Sequence, residues 1–268
     1  INGTLDLLKA VYNRIQKDYS FPNQGFKLTT FVDAPAGSGL GTSSTLVVAV
    51  LGAFVEMLKL PLGDYDIANY AFDIERNDLQ LSGGRQDQYA ATFGGVNFME
   101  FYKDDKVIVN PLRIHSQYLH ELENNLLLYF TATSRESAHI INEQVKNVKG
   151  NNEKSIDAMH NLKEQAQMMK EALLRGKIND IGGILDYGFA QKRNMAANIS
   201  NCTIEAIYDA AKNAGATGGK ISGAGGGGFM IFYCPENSRY NVCNALKQFG
   251  GEIKKYSFTK YGLTTWTA

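Results

Sequence analysis

Residues 35–44 read P-A-G-S-G-L-G-T-S-S, a glycine-rich loop between a predicted strand and a predicted helix. The strand is predicted at residues 26–32, which are rich in β-branched and aromatic side chains, and the helix at residues 42–58, which are mostly small and apolar. Glycines let backbone N–H groups close around a phosphate, and a helix N-terminus adds unpaired donors. The stretch therefore predicts either a lysine-free phosphate site or a tight turn with Thr42 or Ser43 as a helix cap.

Two other glycine signatures fit this chain poorly. The Walker pattern requires Ser or Thr after its lysine, but Lys220 is followed by Ile221. The dinucleotide pattern G-x-G-x-x-G is met at residues 223–228, but there a predicted helix precedes the glycines and a predicted strand follows them, which is the reverse of the required order. The first loop has the right flanking elements, with Thr42 where the last glycine should fall, so a nicotinamide enzyme remains an alternative.

The rest of the chain predicts helices packed on one face of an antiparallel sheet, an α+β fold. Helical spacing of apolar residues or capping signals indicate helices at 5–19, 64–77, 86–93 and 238–249, and three or four helices between 136 and 213. Strands are predicted at 96–101, 107–109, 126–131, 229–234, 253–258 and 263–266, and a short one ends at residue 222.

Composition favours an ordinary globular protein with a small ligand. The 268 residues carry a formal net charge of zero, so no global field draws in nucleic acid or an anionic membrane. No apolar run reaches the roughly 18 residues that span a bilayer. The three cysteines lack metal-binding spacing, which favours free thiols. We expect a cytoplasmic protein without nucleic-acid or membrane partners; a homodimer is compatible with the sequence, which leaves the oligomeric state open.

Two further stretches carry candidate chemistry. Glu75 and Asp87 flank the glycine break at residues 82–84, so the fold can aim both carboxylates into one cleft, one for a metal and one for a hydroxyl proton. Carboxylates on helices are more often solvated surface. Residues 220–228 read K-I-S-G-A-G-G-G-G, a backbone bare enough for close approach to a ligand, or a flexible hairpin.

Together these three stretches resemble the GHMP kinases, the superfamily of galactokinase, homoserine kinase, mevalonate kinase and phosphomevalonate kinase. Residues 35–45 resemble its nucleotide motif P-x-x-x-G-L-G-S-S-A, and residues 218–228 its C-terminal glycine motif. The resemblance implies a two-lobed fold, with a ribosomal-protein-S5-like α/β lobe at residues 1–134 and a ferredoxin-like helical lobe at 135–268. It also implies ATP and Mg²⁺ as cofactors.

The resemblance assigns roles to individual residues. Ser43 and Glu75 resemble the magnesium ligands, and Asp87 the catalytic carboxylate beside the accepting hydroxyl. The expected ATP-binding residues are Pro35, Gly37, Ser38, Gly39, Leu40, Gly41, Thr42, Ser43 and Ser44. The candidate substrate-binding residues are Arg85, Arg135, Gly223, Gly225 and Gly226.

Within the superfamily, residues 33–50, 81–114 and 129–138 resemble D-glycero-D-manno-heptose 7-phosphate kinases, which phosphorylate the anomeric hydroxyl of a sugar phosphate. Alternatives are kinases for L-fucose or galactose, a non-catalytic sugar or ATP sensor, and a mevalonate-branch decarboxylase. The family's opening R-x-P-x-R strand is absent, and the first residue is Ile1, so we expect the natural chain to begin earlier.

Overall fold

The computed structural model describes residues 2–22, 25–35, 37–133 and 137–268 and divides into two compact units. Unit 1 contains Ile1–Ala36, Gly41–Pro111 and Thr259–Ala268, and unit 2 contains Gly37–Leu40 and Leu112–Phe258. The lobe boundary expected after residue 134 stays a prediction. No helix in these described ranges is long and apolar enough to cross a membrane.

The described part of unit 1 contains four α-helices, a π-helical turn and a hairpin. The helices are α1 (Asp6–Tyr19), α2 (Thr42–Leu58), α3 (Asp64–Asp73) and α4 (Gln86–Phe93). Val11 and Ile15, one helical turn apart on α1, are buried against Leu51 of α2, and Ile74 closes the same core. This burial explains why α2 is apolar around most of its circumference.

The hairpin of unit 1 pairs β1 (Asn97–Phe101) with β2 (Val107–Pro111) in antiparallel register. Asp104 and Asp105 both have positive φ angles, 57° and 59°, in the connection between the strands. Such backbone angles suit the right-handed twist of a hairpin, and aspartate tolerates them better than most residues.

Unit 2 is built on a four-stranded antiparallel sheet in the order β4, β5, β3, β6. The strands are β3 (Leu126–Phe130), β4 (Gly218–Ile221), β5 (Phe229–Tyr233) and β6 (Glu252–Lys254). The helices are α5 (Ser116–Asn125), α6 (Ser137–Lys149), α7 (Glu153–Leu174), α8 (Ile181–Arg193), α9 (Cys202–Asn213) and α10 (Ser238–Leu246). Phe189 of α8 and Phe232 of β5 lie in the core.

Most predicted elements are confirmed. The predicted helices at 42–58 and 86–93 match α2 and α4 at both ends, and four helices lie between 136 and 213. Helix α5 was not predicted, because it is only ten residues long and mostly polar, with Tyr118, Leu119 and Leu122 as its apolar residues.

Two predicted strands are wrong. Residues 26–32 and 263–266 are extended or irregular, and neither stretch forms a ladder with any other described segment. Alternating apolar residues predict a strand only where a partner completes its backbone hydrogen bonds. Phe31 is 87% exposed and Trp266 is 77% exposed, whereas Phe26 instead packs its ring edge-on against Phe54.

The C-terminal segment of unit 1 lies against the end of α4. Leu263 N–H donates to the carbonyl of Thr92 at 3.0 Å. A β-carbon added at Gly94, whose φ is +62°, would lie 2.1 Å from the backbone nitrogen of Gly262. Only glycine allows the two backbones to approach this closely.

We therefore expect Gly94→Ala to lower the free energy of unfolding by about 3 kcal/mol, because it adds both backbone strain and overlap with main-chain atoms. Urea unfolding measures the loss. The control is Gly183→Ala inside α8, where an added β-carbon meets nothing within 4 Å. That change should stabilise the protein by roughly 0.5–1 kcal/mol. Equal unfolding midpoints for the two variants would contradict the expectation.

Candidate active site

In unit 1, the N-terminus of α2 presents unpaired backbone donors. The helix begins at Thr42, and Gly41 (φ +70°) precedes it without a side-chain cap. Within the described part of the chain, the N–H groups of Gly41, Ser43 and Ser44 form no hydrogen bond. Unpaired donors and the helix dipole favour an anion at this end of α2.

In unit 2, residues 37–40 are held against a second glycine loop, residues 222–228, which connects β4 to β5. Ser222 Oγ donates to the carbonyl of Gly39 at 2.9 Å, and Phe229 N–H donates to the carbonyl of Ser38 at 3.0 Å. A β-carbon on Gly39 would lie 2.9 Å from the carbonyl oxygen of Ser222. The second loop thus fixes the backbone of the first, while the N–H groups of Gly39 and Leu40 donate to none of the described residues.

Glu75 is the centre of a buried hydrogen-bond network in unit 1. Its carboxylate accepts from Ser43 Oγ at 3.0 Å, from Ser44 Oγ at 2.7 Å and from the side-chain amide of Gln88. Glu75 is 1% exposed and Gln88 is fully buried, whereas Ser43 is exposed. The network therefore reaches from the core to the surface at Ser43.

A local π-helical turn, Ile74–Asp78, carries Glu75 at the end of α3. Such turns are rare and are found frequently at functional sites. The helix predicted to continue to residue 77 does so, but in this wider geometry.

The sequence analysis did not predict a role for Gln88 in the site. Its amide nitrogen also lies 3.1 Å from Ser44 Oγ, while its buried Oε1 has no hydrogen-bond partner among the described residues. The available signal was position, because Gln88 directly follows the predicted catalytic carboxylate on the first turn of α4.

Asp87 lies beside Gly41. A β-carbon added at Gly41 would be 3.1 Å from the carboxyl carbon of Asp87, so the carboxylate occupies the space that a side chain at position 41 would need. Asp87 is exposed on one side, but desolvation by its neighbours and the charge of Glu75 raise its pKa, against a smaller lowering by Arg76. A carboxylate with a raised pKa is a better proton acceptor than an ordinary aspartate.

Ser43 and Glu75 fit a magnesium ion by their chemistry. Mg²⁺ prefers oxygen ligands, commonly one or two protein groups plus water and phosphate oxygens. Glu75 is a buried carboxylate that has no ion pair with any basic side chain in the described ranges, and the exposed Ser43 hydroxyl is 3.0 Å from it. The residues present therefore suit a cation at the surface end of the network.

The two arginines predicted to bind substrate differ in what the structure describes. Arg85 pairs with Asp105 and lies 4.3 Å above the ring of Phe72, so its guanidinium already has a carboxylate partner. Arg135 lies outside the described residues. Their proposed contact with a substrate phosphate stays a prediction.

In the second glycine loop of unit 2, some backbone N–H groups form hydrogen bonds and others do not. Gly226 N–H donates to Ile199 O at 2.8 Å and Gly228 N–H donates to Thr133 O at 2.7 Å. Among the described residues, the N–H groups of Gly223, Ala224, Gly225 and Gly227 have no acceptor. Gly225 and Gly227 are buried, where an unpaired N–H is costly unless a ligand or water completes it.

Comparison with known proteins agrees with this arrangement. Residues 6–95 match the GHMP kinases N terminal domain, and residues 169–252 match the GHMP kinases C terminal domain. A D-glycero-alpha-D-manno-heptose 7-phosphate kinase from Campylobacter jejuni is 49% identical over 265 residues, covering 99% of this chain and 78% of that protein.

The chain belongs to the GHMP kinase family.

Two further relatives of this GHMP kinase bear on its substrate. The crystal structure of a D-glycero-D-manno-heptose 1-phosphate kinase from Bacteroides thetaiotaomicron superposes with a TM-score of 0.77 at 41% identity, covering 100% of this chain and 77% of that one. An L-fucokinase/L-fucose-1-P guanylyltransferase from Bacteroides fragilis is 31% identical over 77% of this chain, but the match spans only 22% of that protein. The α+β GHMP kinase fold inferred from the sequence is confirmed.

The Glu75 network yields a stability prediction. Glu75→Gln makes the side chain neutral, so the buried Ser44 and Gln88 no longer donate to a charged acceptor. We expect the free energy of unfolding to fall by about 2 kcal/mol, because each of these two hydrogen bonds contributes about 1 kcal/mol more to a charged acceptor than to a neutral one. Urea unfolding followed by circular dichroism measures it.

The matched control is Glu171→Gln on α7, whose carboxylate is solvent-exposed and pairs with Arg175 at 2.8 Å. That variant should stay within about 0.5 kcal/mol of the parent protein. The network would lack the stabilising role assigned to it if Glu75→Gln unfolded at the same urea concentration as the control.

Proposed function

We propose that this GHMP kinase transfers the γ-phosphoryl group of ATP to the anomeric hydroxyl of D-glycero-D-manno-heptose 7-phosphate, giving the 1,7-bisphosphate. The proposed substrate rests on the 49% identity to a heptose 7-phosphate kinase along 99% of the chain. The chemistry rests on Asp87, Glu75 and Ser43, which the structure brings together in unit 1 around the N-terminus of α2.

The ATP phosphates are assigned to the loop at residues 37–44. Backbone N–H groups supply the donors, since no lysine lies in this stretch. Glycine at positions 39 and 41 keeps the loop free of side chains where Ser222 and Asp87 approach it. Positioning and electrostatic stabilisation account for most of the rate enhancement in phosphoryl transfer, so a rigid set of donors suits this reaction.

Ser43 and Glu75 are proposed to hold Mg²⁺, with Gln88 and Ser44 orienting the carboxylate from the buried side. When bound, the ion neutralises charge on the nucleotide phosphates. The hydrogen bonds to Glu75 keep it in place before any ligand arrives, so little rearrangement accompanies binding.

Asp87 is proposed to act on the acceptor. Its carboxylate accepts a hydrogen bond from the sugar hydroxyl and takes the proton as that oxygen bonds to the γ-phosphorus. The bond from this phosphorus to the bridging oxygen breaks at the same time, and ADP leaves. The raised pKa of Asp87 places the acid limb of turnover above the ordinary aspartate range, because the group acts in its ionised form.

We propose that the reaction takes place in the cytoplasm. The three cysteines are free thiols, which suits a reducing compartment. The proposed partner is the sugar phosphate substrate.

The substrate is tested by a coupled ADP-release assay on the full-length protein with heptose 7-phosphate, heptose 1-phosphate, L-fucose, galactose and mannose. We expect heptose 7-phosphate to give the highest kcat/KM, and phosphorus-coupled NMR to show the new phosphate on the anomeric carbon. Activity confined to an unphosphorylated sugar would overturn the substrate assignment, and absence of ADP formation throughout would favour a sensor.

The catalytic role is tested with Asp87→Asn. We expect kcat to fall by about a hundredfold or more, because the amide accepts no proton. ATP affinity should be retained, since a negative charge near the phosphate loop is removed. Desolvation and Glu75 disfavour the charged form of Asp87 in the folded protein, so the variant should unfold no more easily than the parent above the raised pKa, and any gain should vanish as pH falls toward the usual aspartate value.

Calorimetry with a non-hydrolysable ATP analogue and urea unfolding serve as controls for that variant. Near-normal turnover by correctly folded Asp87→Asn protein would end the proposed role of this carboxylate.

A further inference from the structure

Arg76 follows Glu75 directly in the π-helical turn of unit 1, and the sequence analysis assigned it no role. Its side chain is partly buried. The guanidinium donates to the carbonyl of Gly84 from Nε at 3.4 Å and from Nη2 at 3.1 Å, and to the carbonyl of Leu81 from Nη1 at 3.4 Å. Arg76 therefore spans the segment that connects the π-helical turn to α4.

The main chain holds the same segment at a second point. Leu81 N–H donates to the carbonyl of Glu75 at 2.9 Å, so residue 81 is bound through its N–H by residue 75 and through its carbonyl by Arg76. Three residues after Gly84 comes Asp87, in the first turn of α4. The connection between the two proposed functional carboxylates is thus short and fixed at both ends.

The guanidinium also fills the space beside Gly83. A β-carbon added at Gly83 would lie 2.5 Å from Nη2 of Arg76 and 2.7 Å from its Cζ. A side chain at position 83 would displace the guanidinium, because this is the mobile end of a long side chain. Glycine at this position therefore lets Arg76 approach the backbone of the connecting segment.

Other arginines of unit 1 have carboxylate partners. Arg14 pairs with Asp78 at 3.1 Å, and Arg85 pairs with Asp105. The hydrogen bonds of Arg76 within the described ranges instead go to main-chain carbonyl groups. A planar guanidinium suits this task, because its donors are held in a fixed fork that serves two carbonyls at once.

The charge of Arg76 also acts on Asp87. Desolvation and the charge of Glu75 raise the pKa of Asp87, and the charge of Arg76 lowers it. A nearby cation favours the ionised form of a carboxylate. Arg76 thus opposes part of the effect of Glu75 on the group that is proposed to accept the proton.

We propose that Arg76 is a positioning residue for phosphoryl transfer, which holds residues 81–84 so that Asp87 keeps a fixed place relative to Glu75. The inference rests on the roles proposed above for these two carboxylates. Arg76 acts through the connecting segment. Because phosphoryl transfer depends chiefly on positioning, a small displacement of Asp87 is enough to slow it strongly.

Steady-state kinetics of Arg76→Gln, Arg76→Lys and Gly83→Ala test the positioning role. We expect kcat to fall by roughly ten- to a hundredfold in each, because neither glutamine nor lysine reproduces the fork and alanine displaces it. The KM for ATP should change little, since the contacts of Arg76 are to residues 81 and 84. The control is Arg175→Gln, which removes an exposed ion pair with Glu171 and should keep the parent kcat.

A double variant examines whether Arg76 and Gly83 act through one contact. Arg76→Gln combined with Gly83→Ala should have the kcat of Arg76→Gln alone, because the guanidinium that alanine displaces is already absent. Losses that multiply would assign the two residues separate roles and overturn the proposal. If Arg76→Gln fails to fold in urea-unfolding controls, Arg76→Lys and Gly83→Ala carry the kinetic test.

A second measurement needs no turnover. Carbon-13 NMR follows the carboxyl carbon of Asp87, assigned as the signal that is missing from Asp87→Asn. In Arg76→Gln this signal should titrate at higher pH than in the parent, because the cation that lowers the pKa of Asp87 is gone. In Arg76→Lys it should stay nearer the parent, so a low kcat there reports lost positioning.

The outcomes separate this inference from the proposed reaction. A parent protein that releases no ADP with any sugar would end the proposed function. An active parent whose Arg76→Gln variant keeps both the parent kcat and the parent titration of Asp87 would end the role of Arg76 and leave the reaction standing.

Discussion

The carboxylate of Glu75 is the constraint on which unit 1 depends most. A buried negative charge must be compensated, and here hydroxyls from the first turn of α2 and an amide from α4 do so. These three hydrogen bonds join α2, the π-helical turn and α4 at a single carboxylate. The N-terminus of α2 and the first turn of α4, which carry the proposed nucleotide and acceptor functions, are therefore oriented by the same residue.

Close packing of backbone is the corresponding constraint in unit 2. The loop at residues 37–40 is held by Ser222 and Phe229, and the loop that contains them is held by Ile199 and Thr133. Side chains would separate these segments, which explains the glycine content of both stretches. Donors left unpaired by this packing are the ones assigned to phosphate.

Much of the fold was predictable, because the regular spacing of apolar residues predicts helices that have one long apolar face. Helix α1 is an example, since its buried residues Val11 and Ile15 are one helical turn apart. Residues 26–32 were mispredicted because strand formation depends on a partner that local sequence does not specify. Ser43, Glu75 and Asp87 could be selected by motif. Gln88 was missed because a buried amide belongs to no motif, and only its position directly after Asp87 pointed to it.

The discontinuity of unit 1 affects how the chain folds during synthesis. Residues 259–268 belong with residues 41–111, although the whole of 112–258 is made between them. All of unit 2 is synthesised before the segment that packs against Gly94 and Thr92 leaves the ribosome. Closure of unit 1 is consequently a late step that must wait for a distant part of the chain. Until then the end of α4 is uncovered, and this interval is where chaperone binding or misassembly would compete with folding.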